Sequence, residues 1–276
     1  MNRSVIRTPA LLLACVVVLL GSSGTTRLVA QQAGANDDWC RDERWGRDRA
    51  GVCEVREFTV AATAGTLEVE GDNGGIDVRG ESRGNVEILA KVVATANSQQ
   101  RAREIADAVR ITPTLDHVEA EGPRGLQNRE GWSVSYRVAV PRALNLSLKT
   151  SNGGIVIRDV ESKVDFRTSN GGVKLIGLSG DVHGETTNGG VDIDLDGTAW
   201  IGDGLDVQTS NGGVKIAVPE NYSARLEAHT DNGGFHFDYP ATFQGRAGRD
   251  VNLQLGSGGA PIKVRTSNGG VRVTRK

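Results

Sequence analysis

Apolar and polar residues alternate in short runs over most of the chain. The runs recur around seven Asn-Gly-Gly steps, centred on Asn73, Asn152, Asn170, Asn188, Asn211, Asn232 and Asn268. Six residues before each Asn stands an apolar side chain, from Leu67 and Leu146 to Leu226 and Ile262. Three before it stands a polar one, from Glu70 and Lys149 to His229 and Arg265. Two before it, six copies carry Thr150, Thr168, Thr186, Thr209, Thr230 and Thr266, whereas the first copy has Gly71. Three and five residues after it come pairs such as Ile76 and Val78, Val173 and Leu175, Phe235 and Phe237. A period of two buries one face of a strand and wets the other, so each copy predicts two short half-buried strands joined at Asn-Gly-Gly. The buried parity is even before the Asn and odd after it. The step therefore contains a one-residue phase slip, expected as a corner with glycine at positive φ.

From Asn152 onward the copies follow at steps of 18, 18, 23, 21 and 36 residues. Such steps fit the coils of a parallel β-helix or β-solenoid, in which equivalent residues stack about 4.8 Å apart, Thr on Thr and Asn on Asn. An antiparallel hairpin array is the alternative, because Asn-Gly is also the preferred two-residue hairpin turn. Near-invariance of Thr and Asn from copy to copy favours stacking. In the longest step, Gly256-Ser-Gly-Gly259 reads as a degenerate extra turn of the motif. The gap between Asn73 and Asn152 holds an insert over about 86–142, with strands around 86–93, 117–120 and 133–140. It also holds one helix over 98–109, apolar along Ala102, Ile105, Ala106 and Val109. Ser98 suits its N-cap and Pro113 forbids its continuation.

Composition narrows the class to all-β. Aromatic residues are only 4% of the chain, so the core must be Val, Ile and Leu, a strand composition. The first thirty residues read as a signal peptide: Arg3 and Arg7 precede an apolar run from Ala10 to Leu20, with cleavage after Ala30. A lipoprotein signal using Cys15 is the weaker reading, since half of the apolar run would follow the modified cysteine. No later stretch approaches the ~20 apolar residues that a membrane helix needs. Cleavage removes Arg3, Arg7 and Arg27 and no acids, leaving 29 basic against 34 acidic residues and a net charge of −5. That balance argues against nucleic acid and against simple adhesion to anionic lipid. Cys40 and Cys53 remain, and an exported chain makes their pairing the default. Three segments follow: signal peptide 1–30, a disulfide-clamped N-terminal segment 31–57, and a β-helical domain 58–276.

The Thr-Ser-Asn-Gly-Gly repeats, the segment Gly256 to Val273 and the single helix followed by strands and Val140-Pro141 resemble the bacterial putative-adhesin family of secreted β-helical domains. The similarity covers roughly residues 55–276. It implies a right-handed β-helix-like fold in the bacterial envelope, and the family offers no catalytic motif to carry over.

Each candidate for chemistry has a structural competitor. A calcium β-roll needs Asp at fixed offsets in a nine-residue period, and the period here is about twice that. Asp192, Asp194 and Asp196 alternate along one strand and fit a solvated face better than a cation site. His117, His183, His229 and His236 are scattered at polar phases. The expectation is a non-catalytic module without cofactor or metal, its rigid faces binding an envelope protein or glycan. An envelope-stress component and a polysaccharide-active β-helix enzyme are the alternatives, the latter by fold analogy alone. Self-association is possible through the coil ends, with the N-terminal segment and the tail 272–276 as expected caps. Mass spectrometry of the exported, non-reduced protein is expected to find Cys40 linked to Cys53; free thiols at both positions would remove the clamp, worth roughly 3 kcal/mol on the chain-entropy estimate.

Overall fold

The computed structural model describes residues 31–32, 38–46, 48–62, 65–114, 116–238, 242–244 and 248–276. The signal peptide, its cleavage site and Cys15 lie outside the described residues. Each repeat copy forms one coil of two strands. The strand before the corner, such as Asn145–Asn152 or Glu161–Asn170, joins a ten-stranded sheet. The strand after it, such as Ile155–Arg158 or Val173–Ile176, joins an eleven-stranded one. We call these the pre-corner and post-corner sheets. Successive coils pair in parallel and in register, Leu146 beside Val164, Thr150 beside Thr168 and Asn152 beside Asn170. This is the stacked solenoid and not a hairpin array. Between the sheets runs one continuous core of Val, Ile and Leu.

At the corner, three ladders lock one coil to the next. The asparagine amides form a chain in which Asn152 Nδ2 donates to Asn73 Oδ1 at 3.0 Å, Asn170 to Asn152 at 3.0 Å and Asn188 to Asn170 at 2.9 Å. The chain continues through Asn211, Asn268 and Asn232. Backbone N–H groups of the first glycines donate to asparagine carbonyls, Gly171 to Asn188 at 3.1 Å for instance. The third ladder explains the threonines. Thr168 Oγ1 donates to Gly153 O at 2.8 Å, and a Cβ placed on Gly171 would lie 2.0 Å from that same carbonyl oxygen. The relation recurs for Thr186 with Gly189 on Gly171 O, and for Thr209 with Gly212 on Gly189 O. Each coil thus turns one carbonyl into the next, where only glycine leaves room for it and a buried threonine satisfies it.

The corner differs from its sequence reading in one respect. Only the first copy uses positive φ, at Gly74 (φ 137°); Gly153, Gly171, Gly189, Gly212, Gly233 and Gly269 do not. Glycine is required at those six by the approach of the neighbouring backbone, not by handedness. Gly71 stands for threonine in the first coil, whose corner meets no earlier repeat: its post-corner strand pairs with Gly131–Pro141, and a Cβ on Gly74 would lie 2.1 Å from Val134 O.

Coil order also departs from chain order. The last coil, Pro261–Asn268 with Val271–Arg275, lies between the Asn211 and Asn232 coils. Strand Asp250–Leu255 runs antiparallel along the outer edge of Ala224–Asn232, and the chain then crosses over residues 222–223 to enter on the other side. Gly256, expected as part of an extra coil, is that crossover: it takes φ 52°, and a Cβ there would sit 2.8 Å from Tyr222 O. Consequently the tail at 272–276 is no end cap, for it is sandwiched between two coils, and Lys276 Nζ bonds Asp194 at 2.6 Å.

At the other end the insert extends the post-corner sheet by antiparallel strands, Gly131–Pro141 beside Asn85–Ala96 and that beside Ala50–Ala61. The proposed boundary at 57/58 falls inside this last strand. The helix Gln99–Ala108 starts on Ser98, whose side chain accepts from the Arg101 N–H, and packs Ala102, Ile105 and Ala106 against Val52, Ala94 and Ala96. Cys40 and Cys53 form a disulfide with Cα atoms 5.7 Å apart. It holds Trp39 over the Arg137 guanidinium, 3.9 Å from the ring centre.

The corner sterics give a paired prediction. Gly171→Ala should lower stability by about 1–3 kcal/mol in chemical denaturation, as overpacking does. Gly172→Ala, whose Cβ would meet its nearest atom at an ordinary 3.6 Å, should cost well under that. Equal losses at both would refute the stacking explanation.

Candidate functional site

The outward positions of the pre-corner strands differ in charge from coil to coil, and there opposite charges pair between coils. Lys149 Nζ bonds Glu70 at 3.0 Å, Arg167 reaches Glu185 at 2.8 Å, Gln208 donates to Glu185 at 2.7 Å, and Arg265 reaches Asp206 at 2.6 Å. An open groove of about 470 Å³ runs over these strands, lined by Lys149, Asp165, Arg167, Glu185, Asp206 and Arg265 among others. Its three cations and three carboxylates balance. The Glu70 hydrogen bond holds the Lys149 ammonium above its ordinary range, so it stays charged. Arg167 and Lys149 remain 68% and 60% exposed. Exposed pairs of this kind are worth only about 0–1 kcal/mol, so an incoming ligand can exchange them at little cost.

Beneath the groove lies a size exchange that sequence reading missed. The inward row reads Val69, Leu148, Phe166, Gly184, Val207, Val264 and Ala228 in stack order. Gly184 is missing a side chain because the Phe166 ring fills its place, 2.4 Å from where a Cβ would stand. A glycine in an otherwise apolar column was the available signal.

The four histidines do not converge. Two of them clip the terminal strands to the stack. On the strand His117–Val118, His117 Nδ1 lies 3.3 Å from Glu68 of the first coil and Nε2 3.4 Å from Glu119. Burial alone lowers its basicity, but hydrogen bonds to Glu119 and Glu68 outweigh this and the net shift is upward. At the opposite end His229 Nδ1 lies 2.7 Å from Asp250 and Nε2 3.2 Å from Asp231. The Asp250 hydrogen bond, then that of Asp231, raises its pKa, and Asp231 is held below the usual carboxylate range chiefly by His229. His183 pairs with Asp181 and His236 with Asp238.

Asp192 and Asp194 share the outer face of Val191–Asp194, but lysines occupy the positions a cation would take. Lys215 Nζ lies 4.0 Å from Asp192, and Lys276 Nζ 2.6 Å from Asp194 and 4.0 Å from Asp196. Among the described residues no group of three or more His, Cys, Asp or Glu is placed to hold a metal ion. No helix among them is long and apolar enough to cross a membrane. The asparagines of the repeat sit together on one corner as a hydrogen-bonded row and form no pocket with the groove.

Residues 54–274 match the family described as Toastrack DUF4097. No curated protein matches the chain. Among solved structures, similarity extends to a "putative cell adhesion protein" from Clostridium sporogenes, 12% identical over 81% of this chain and 100% of that one, with a TM-score of 0.45. It extends also to a "putative adhesin" from Bacteroides fragilis, 9% identical over 82% and 97%, TM-score 0.38. A "putative lipid binding protein" from Parabacteroides distasonis is 10% identical over 80% and 96%, TM-score 0.32.

The His229 clip carries a pH dependence whose sign follows from its raised pKa. Its contribution is complete below the unfolded value of about 6.5 and is lost as pH rises through the folded value above it. Hydrogen-exchange protection of Asp250–Leu255 is therefore expected to fall as pH rises through that window, and His229→Gln should abolish the change. Protection that is flat with pH in the unsubstituted chain would refute the clip.

Proposed function

The chain belongs to the Toastrack DUF4097 family, and from that membership and the groove we propose that it acts as an exported, non-catalytic, adhesin-like module. It would hold another envelope protein on the outer face of its pre-corner sheet. Export is supported by the basic and then apolar start of the sequence and by the Cys40–Cys53 disulfide. The observation that carries the binding reading is the groove itself: charge-balanced, exposed side chains mounted on a backbone that the corner ladders hold fixed. Fixed outward positions suit recognition because little conformational entropy is lost when a partner docks.

Between a protein and a glycan partner, the lining favours protein. Phe166, the one Phe, Tyr or Trp in the lining, is buried, so no large exposed aromatic face of that kind offers a sugar a stacking platform. Interspersed cationic and carboxylate groups instead match the mixed charge of a protein surface, where electrostatic complementarity sets register and specificity. An enzymatic role finds less support. The groove carboxylates Glu185 and Asp206 are matched to Arg167 and Arg265, whereas acid and base catalysis needs titratable groups driven apart in pKa.

Crosslinking the protein in its native cells, followed by identification of captured molecules, tests this. The expected result is one specific envelope protein, with capture reduced about tenfold or more by the double change Arg167→Ala and Arg265→Ala at unchanged circular dichroism. Capture of glycan alone, of self-links alone, or of the same protein by the double variant undiminished would overturn it.

A further inference from the structure

We propose that Asn232-Gly233 is a self-modifying site, at which the folded chain converts one asparagine to aspartate or isoaspartate with water as co-reactant, while the stack shields the other six Asn-Gly steps. Asn-Gly is chemically the most exposed of such steps because glycine puts no side chain in the way of its own nitrogen. That nitrogen, once deprotonated by solvent base, attacks the asparagine Cγ. The N–Cγ bond forms, the Cγ–Nδ2 bond breaks, and Nδ2 takes up protons and leaves as ammonia. Water then opens the resulting succinimide at either carbonyl. One water enters, one ammonia leaves, and nothing is oxidised or reduced.

Reaction requires the glycine N–H to be unengaged, and in six copies it is engaged. Gly74 donates to Asn152 O at 2.9 Å, Gly153 to Asn170 O at 3.0 Å, and Gly171, Gly189, Gly212 and Gly269 each to the next asparagine carbonyl at 3.1 Å. In those copies each asparagine Oδ1 also accepts from the neighbouring amide, which holds Cγ in the ladder. The seventh copy is the last coil of the stack, placed there by the insertion of the Asn268 coil before it. Among the described residues the Gly233 N–H makes no hydrogen bond and Asn232 Oδ1 accepts none. Of the Asn232 side chain only Nδ2 is tied, to Asn268 Oδ1 at 3.1 Å. Among the described residues, chain neighbours apart, no atom lies within 4 Å of where a Cβ on Gly234 would be, whereas the second glycine of each of the other six copies has a carbonyl of the next coil at 3.0–3.6 Å.

The product changes the coil that bears it. A carboxylate at 232 cannot donate to Asn268 Oδ1 and stands next to Asp231, so the last rung of the amide ladder is lost. Isoaspartate would also lengthen the backbone at the corner and disturb the phase of Phe235–Asp238 against Val271–Arg275.

The test uses the full exported chain with its disulfide intact, held in mildly alkaline heavy-oxygen water and mapped by peptide mass spectrometry. Heavy oxygen is expected to enter at residue 232 about tenfold or more faster than at any other Asn-Gly step, the factor equivalent to about 1.4 kcal/mol of local opening. The reduced, denatured chain should react at all seven steps at comparable rates. No incorporation at 232 in the folded chain, or an equal or greater rate at any of the other six, overturns the proposal.

Discussion

Everything in the solenoid depends on one contact: a backbone carbonyl of one coil directed into the corner of the next. The carbonyl of Gly153 occupies the space where Gly171 would otherwise carry a Cβ, and it is satisfied there by Thr168 Oγ1. Glycine in an ordered strand end costs about 0.5–1 kcal/mol relative to alanine. A buried carbonyl left without a donor costs about 1–3 kcal/mol, so the arrangement is favourable only when both residues are present. That is why the threonine and the first glycine recur together, and why the first coil, which meets a strand of another kind, carries neither threonine nor the same φ at its corner.

Much of this was legible in the chain. Strict alternation located both strands of every coil, and the recurrence of Thr and Asn at fixed phase favoured stacking over hairpins, because a hairpin gives no reason for equivalent residues to touch. The helix was legible from Ser98, its apolar stripe and Pro113. What stayed hidden is non-local. The phase slip at Asn-Gly-Gly suggested a left-handed glycine, since local reasoning sees a chain's own torsions and not the neighbouring coil that excludes a side chain. The place of the Asn268 coil was hidden for the same reason. Its residues match those of every other copy, so the motif alone is compatible with any position in the stack, and only the crossover at Gly256 decides it.

The candidate site was the least legible part. Lys149, Arg167, Glu185, Asp206 and Arg265 are separated by up to 116 positions in sequence and are brought to one groove only by the register of five coils. Sequence reading could say that these positions point outward; it could not say which coils are neighbours. Division of labour follows from the corner contact. The corner is fixed by stacking and inward positions stay apolar with compensating sizes, as Phe166 does for Gly184, so changes of charge between copies are confined to the outward phases. Those are the positions where a surface can differ from coil to coil without disturbing the fold.

Parallel stacking of like coils has a hazard, because the last coil presents the same edge that every other coil uses to receive a neighbour. Among the described residues, the chain meets this at one end of the post-corner sheet and at both ends of the pre-corner sheet with strands that are not repeat copies. At one end the insert turns the post-corner sheet antiparallel, and the disulfide-linked turn lies across its face. At the other end Asp250–Leu255 runs antiparallel along the pre-corner sheet and separates the coils from Thr242–Gln244, which pairs antiparallel with it. An antiparallel strand cannot continue the threonine and asparagine ladders, whose donors all point the same way along the stack. The two histidine clips sit at these changes of pattern, His117 where a strand joins the first coil and His229 where Asp250–Leu255 joins the terminal one. Ion pairs also link interior coils, but only at the ends do histidines hold a strand that lacks the repeat contact, so the ends are where pH can act on the stack.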